Sequence, residues 1–91
     1  MCRNIRTLAN FDPPASDEEI RASALQFVRK LSGQTHPSRA NAEVFERAVQ
    51  EVTDAATRLV RSITTMAPPR TREEELRKAR ERNAKRFGAG A

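Results

Sequence analysis

The sequence predicts an all-α fold: a small antiparallel helical hairpin, about 17–32 and 42–64, with an extended N-terminal arm and a charged third helix. Three observations carry that expectation. Apolar residues recur at steps of three and four along two successive segments. Prolines and glycines fall between those segments rather than inside them. Two strings, Ser16-Asp17-Glu18-Glu19 and Thr71-Arg72-Glu73-Glu74, have the spacing of helix N-terminal capping boxes.

The first helix begins after Pro13-Pro14, which cannot lie inside a helix. In its capping box the Ser16 hydroxyl accepts from the Glu19 backbone N–H while the Glu19 side chain reaches back, and three acidic residues in the first turn suit the helix dipole. Ile20, Ala24, Phe27, Val28 and Leu31 line one face, Arg29 and Lys30 occupy the last turn, and Gly33 can take a left-handed cap. The polar loop GQTHPSRAN then reverses the chain, with Asn41, or less favourably Ser38, as the next cap. Phe45, Val49, Val52, Ala56, Leu59 and Ile63 form the clearest stripe of the sequence, widened by Val44, Ala48, Ala55 and Val60. Its steps also fit a heptad, so this helix can pack against another helix in the same chain or, over 44–63, in a homo-oligomer.

Met66-Ala67-Pro68-Pro69 ends the second helix. A third, about 72–87, carries Glu73/Arg77, Glu74/Lys78 and Glu81/Lys85 four residues apart, but only Leu76, Ala79, Ala84 and Phe87 are apolar. It should be a solvated helix with one anchoring edge, fraying into Gly88-Ala89-Gly90-Ala91. Residues 1–69 thus read as a helical core domain with its arm, and 70–91 as a basic C-terminal helix and flexible end.

Ninety-one residues make a single small domain with a thin core of aliphatic side chains and phenylalanine. Seventeen Lys and Arg against twelve Asp and Glu give a net charge of +5, unevenly spread: 1–69 carry nine basic and eight acidic residues, 70–91 eight and four. That excess concerns attraction to polyanions, not fold. One cysteine excludes an intramolecular disulfide, the first thirty residues lack a run of seven apolar residues, and nothing approaches the roughly 20 residues of a membrane span. A cytoplasmic location without membrane contact is the expectation.

Four strings, MCRNI, PPASDEEI, ALQFVRKLSG and HPSRAN, occur in order, and through them the chain resembles a small prokaryotic family catalogued as domain of unknown function 2277. The resemblance covers most of residues 1–64, with 70–91 corresponding to a variable charged end. The chain departs from the family's pattern at two places, where Gln34 follows Gly33 and His36 precedes the Pro-Ser pair. No activity attaches to the family, so the resemblance implies no catalytic residues.

Two regions are candidate sites. At the N-terminus, Met1 removal would leave Cys2 with its amino group and thiol on adjacent carbons, and Arg3 and Arg6 would favour the thiolate as nucleophile, metal ligand or redox sensor. The plain alternative is a small apolar side chain tucked beside Ile5 and Leu8. Around the first loop, Arg29, Lys30, His36 and Arg39 would gather at a helix end and, with Arg3 and Arg6, bind an anion; basic residues there also serve the dipole alone. Cys2 and His36 are too few for a metal site, no CxxC or HExxH occurs, and neither metal nor cofactor is expected. Along the tail Arg77, Lys78, Arg80, Arg82, Lys85 and Arg86 form a polycation interrupted by glutamates, with a single aromatic, Phe87, to stack on a base.

The expected function is accordingly a small non-enzymatic module contacting RNA, DNA or a ribonucleoprotein surface with low specificity. The alternative is a thiol-dependent site, catalytic, redox or metal-binding, at Cys2.

Overall fold

The computed structural model describes residues 5–85, and among them finds three α-helices, a short 3-10 turn and no strand. Helix α1 spans Asp17–Ser32, and both halves of the capping box are formed: Ser16 Oγ accepts from Glu19 N (3.1 Å) and Glu19 Oε1 from Ser16 N (2.9 Å). Gly33 closes the helix at φ 69°, its N–H donating to the Arg29 carbonyl at 2.9 Å. That left-handed backbone is where a residue lacking Cβ costs least.

Helix α2, Ala42–Ser62, follows a 3-10 turn at Arg39–Asn41. Asn41 stands at the expected cap position but does not cap with its side chain. The turn runs straight into the helix, so Asn41 already has near-helical backbone, and its amide donates instead to Ser38 Oγ at 3.1 Å. The helix also stops before the expected residue 64: Ile63 is extended, opening a β-branched run, Ile63-Thr64-Thr65, that is a poor continuation.

The two helices pack antiparallel. Val28, near the end of α1, forms a cluster with Phe45 and Val49 near the start of α2, joined by Leu25, Ala48 and Val52. At the other end Arg61 reaches Asp17 (2.8 Å) and the Ala15 carbonyl (3.2 Å); Arg21 reaches along the hairpin to Glu46, beside Phe45, at 2.7 Å. Ala15, Ile20, Ala24, Val28, Phe45 and Val49 are the buried core. Several stripe residues are not buried: Phe27 and Leu31 on α1, and Val44 and Leu59 on α2, are exposed, as is Ile63 just past its end. One partner helix covers only one edge of an apolar arc as wide as that of α2.

Helix α3, Arg72–Asn83, is held differently from the expected apolar edge. None of its Cα atoms lies within 8 Å of α1 or α2, and Leu76 is exposed. Thr71 Oγ1 accepts from Glu74 N at 3.2 Å, forming one half of the second box. The three expected ion pairs are replaced by Arg77–Glu81 (2.9 Å) and Lys78–Glu75 (3.9 Å), an exchange that costs little because surface pairs on one helix differ by only tenths of a kcal/mol. Phe87 lies outside the described residues. With α3 standing off, the molecule is a flat 48 × 38 × 15 Å body whose radius of gyration, 16.2 Å, exceeds the roughly 12 Å of a compact chain this long. No helix among the described residues is long and apolar enough to cross a membrane.

Candidate functional site

The N-terminal arm is not free. Asn10, Phe11 and Asp12 run beside Arg70: Asp12 N donates to the Arg70 carbonyl (2.9 Å) and Arg70 N to the Asn10 carbonyl (2.7 Å). Asn10 has φ 62°, a left-handed backbone that asparagine tolerates, and its side-chain amide donates to the Pro68 carbonyl at 3.1 Å. The Asp12–Pro13 peptide is cis. Pro13 and Pro14 have no N–H of their own, and their carbonyls are left to accept from elsewhere.

Arg72, the first residue of α3, supplies the donors. Its guanidinium donates to the Pro13 carbonyl (2.8 Å), the Pro14 carbonyl (3.5 Å) and Glu19 Oε1 (2.8 Å), and lies 5.2 Å from the centre of the Phe11 ring. A planar fork of five donors suits this convergence of acceptors over an aromatic face. Arg6 is a second cation on the same carboxylate, with Nη2 3.7 Å from Glu19 Oε2. Glu19 therefore ties three segments together: it caps α1, receives Arg72 and neighbours Arg6.

The hydrogen bond from Arg72, then that from the Ser16 backbone, hold the Glu19 carboxyl below its ordinary value of 4.5 despite the opposing effect of burial. Both interactions favour the ionised form, so Glu19 is a poor proton acceptor near neutral pH. Arg72 is equally committed. The arrangement fastens the arm to α3 and leaves neither side chain available for acid–base chemistry.

The sign of the pH dependence follows. A carboxyl whose folded pKa is depressed adds stability that is complete above its unfolded value and is lost as pH falls through the folded one. Wild type is expected to lose stability relative to Glu19→Gln below about pH 4.5, with a constant difference above that. Urea titrations of both proteins at a series of pH values check this, and parallel curves throughout the acid range would contradict it.

The other expected contacts are distributed as follows. Arg29 donates to the Thr35 carbonyl at 3.0 Å, bracing the loop, while Lys30, His36 and Arg39 are exposed. Arg6, on Glu19, lies at the opposite end of α1 from Arg29, ten residues and about 15 Å along the axis, so these two described residues are not brought together. Cys2, Arg3 and Arg86 lie outside the described residues. On α3, Arg77 and Lys78 have carboxylate partners, whereas Arg80 and Arg82, and Lys85 two residues past the helix end, have none among the described residues. Among those residues no three His, Cys, Asp or Glu side chains gather in a way that could hold a metal ion.

Sequence reasoning missed Arg72, Phe11 and Asn10 as partners. The nearest signal was Phe11, an aromatic placed outside any helix and beside two prolines, where a packing partner had to come from elsewhere.

Residues 1–78 match the family described as an uncharacterised conserved protein, DUF2277. The chain belongs to that family. The match takes in the arm, the hairpin and the first half of α3, so the Arg72 junction falls wholly within the family region, whereas Arg80, Arg82 and Lys85 lie beyond it. No curated protein and no solved structure matches the chain.

Proposed function

We propose that this DUF2277 protein is a non-enzymatic binding module that presents the far end of α3 to a nucleic-acid backbone. The observation that carries the reading is the isolation of Arg80, Arg82 and Lys85. Arg80 and Arg82 sit on, and Lys85 two residues past, a helix with no buried residue and clear of the hairpin helices, and none of the three has a carboxylate partner among the described residues, unlike Arg70, Arg72, Arg77 and Lys78. Unpaired cations are the ones that can release phosphate counterions without first breaking an ion pair. Helix α3 carries no aromatic residue, so contacts there are to phosphates and the binding is weakly selective for sequence.

Fluorescence anisotropy with a single-stranded oligonucleotide at low salt tests the reading. Affinity is expected to fall steeply as salt rises, and replacing Arg80, Arg82 and Lys85 together by Gln to flatten the log–log salt slope by about 2 units, at roughly 0.7 per lost contact. Point changes are needed because cutting the chain at 70 also removes Arg72 and frees the arm. Undiminished binding by the triple variant, or no binding by wild type, would eliminate the proposal.

A further inference from the structure

The hairpin leaves one apolar face without a partner. At about 100° per residue, the edge of α2 packed on α1 centres on Phe45 and Val49, and Val44, Ala55 and Leu59 fall on one flank of it, with Ala48 between. Val44 is 67% and Leu59 62% exposed. On α1 the packed edge centres on Ala24 and Val28, and Phe27 and Leu31, 44% and 72% exposed, lie on its flank. Because the helices are antiparallel, both flanks are on the same side of the hairpin, forming a continuous patch on a flat molecule with six buried apolar residues among those described.

We propose that this face binds a second copy of the same chain, α2 against α2 and antiparallel about a two-fold axis near Glu51 and Val52. The pattern is self-complementary. Such a pairing sets Val44 opposite Leu59 and Ala48 opposite Ala55, the two alanines allowing close approach on either side of the axis. The charged row beside this apolar strip then comes within reach of its opposite sign: Glu43 lies two residues, about 3 Å along the axis, off the level of Arg58, and Arg47 the same distance off Asp54. Arg58 has no carboxylate partner within its own chain among the described residues, and Arg47 is 3.9 Å from Glu43, the outer limit of an ion pair. A parallel pairing in register would instead set each of these residues opposite its own copy, like charge against like. The antiparallel register has like-charge neighbours of its own, Glu51 beside its own copy at the axis and Arg47 two residues off the level of the other copy's Arg58. The resulting object is a four-helix bundle made of two hairpins, with both α3 helices outside it.

Sedimentation equilibrium of the full chain is expected to give about twice the 10.2 kDa of the monomer, and Leu59→Glu to return the monomer mass with helical circular dichroism retained. Arg58→Glu is expected to weaken the dimer about tenfold, Arg58→Glu with Glu43→Arg to restore it, and Glu51→Gln to tighten it. These charged residues are all exposed, so they decide the matter even if Leu59→Glu unfolds the chain. A monomer mass at hundreds of micromolar, a dimer mass in folded Leu59→Glu, or failure of the charge exchange to restore association would each overturn the proposal.

Discussion

Phe45→Ala is expected to leave the chain largely unfolded at 25 °C. Phe45 is 8% exposed and is the largest side chain of the Val28–Phe45–Val49 cluster, with Leu25, Ala48 and Val52 packed around it. Truncating a buried phenylalanine removes its transfer free energy and leaves a cavity, about 3–5 kcal/mol together. A single hydrophobic core in a chain this small rarely supplies more than about 3–5 kcal/mol in total, so the loss is comparable to the whole stability. Thermal melts followed by helical circular dichroism test it. A cooperative transition within a few degrees of wild type would mean that the hairpin is held by something other than this cluster.

Arg72→Ala is expected to cost about 2 kcal/mol, the second-largest effect of a single change, through charge-assisted hydrogen bonds to Pro13 and Glu19. The figure is set below the sum of those contacts because Arg72 and Glu19 are both partly solvated, which screens the ion pair. In a domain of this size it corresponds to a fall in Tm of roughly 8–16 °C. The amide protons of Asp12 and Arg70, which close the arm onto the 67–72 segment, are expected to lose their protection from exchange, while those in the middle of α2 keep theirs. Arg72→Lys should rescue little of the loss, since a single ammonium cannot span the Pro13 carbonyl, the Glu19 carboxylate and the Phe11 face at once. Retained protection at Asp12 and Arg70 in Arg72→Ala would show that the backbone pairing holds the arm unaided.

These two expectations rest on different kinds of information. Phe45 was recognisable as core because its helical period is visible among neighbours three and four residues away. The same period drew in Phe27, Leu31, Val44 and Leu59, which the structure leaves exposed: periodicity identifies an apolar face but cannot say how much of it a single partner helix covers. Asn41 shows a smaller version of the same limit. Its position as a cap was legible, but its bonding was altered by a 3-10 turn formed by the three residues leading into the helix.

What the sequence by itself determined are the types of the helices, their starts and the end of α1, because the capping box at Ser16 and Glu19, the left-handed Gly33 and the proline breaks act between residues within about one turn of each other. The tertiary structure alone decided that the arm is fastened to the start of α3 and that the long stripe of α2 is only partly covered. Arg72 meets Pro13 and Glu19 across 59 and 53 positions of chain, and no local spacing rule relates residues so far apart; only the path of the folded backbone brings a five-donor cation to the proline carbonyls and to the carboxylate that already caps α1.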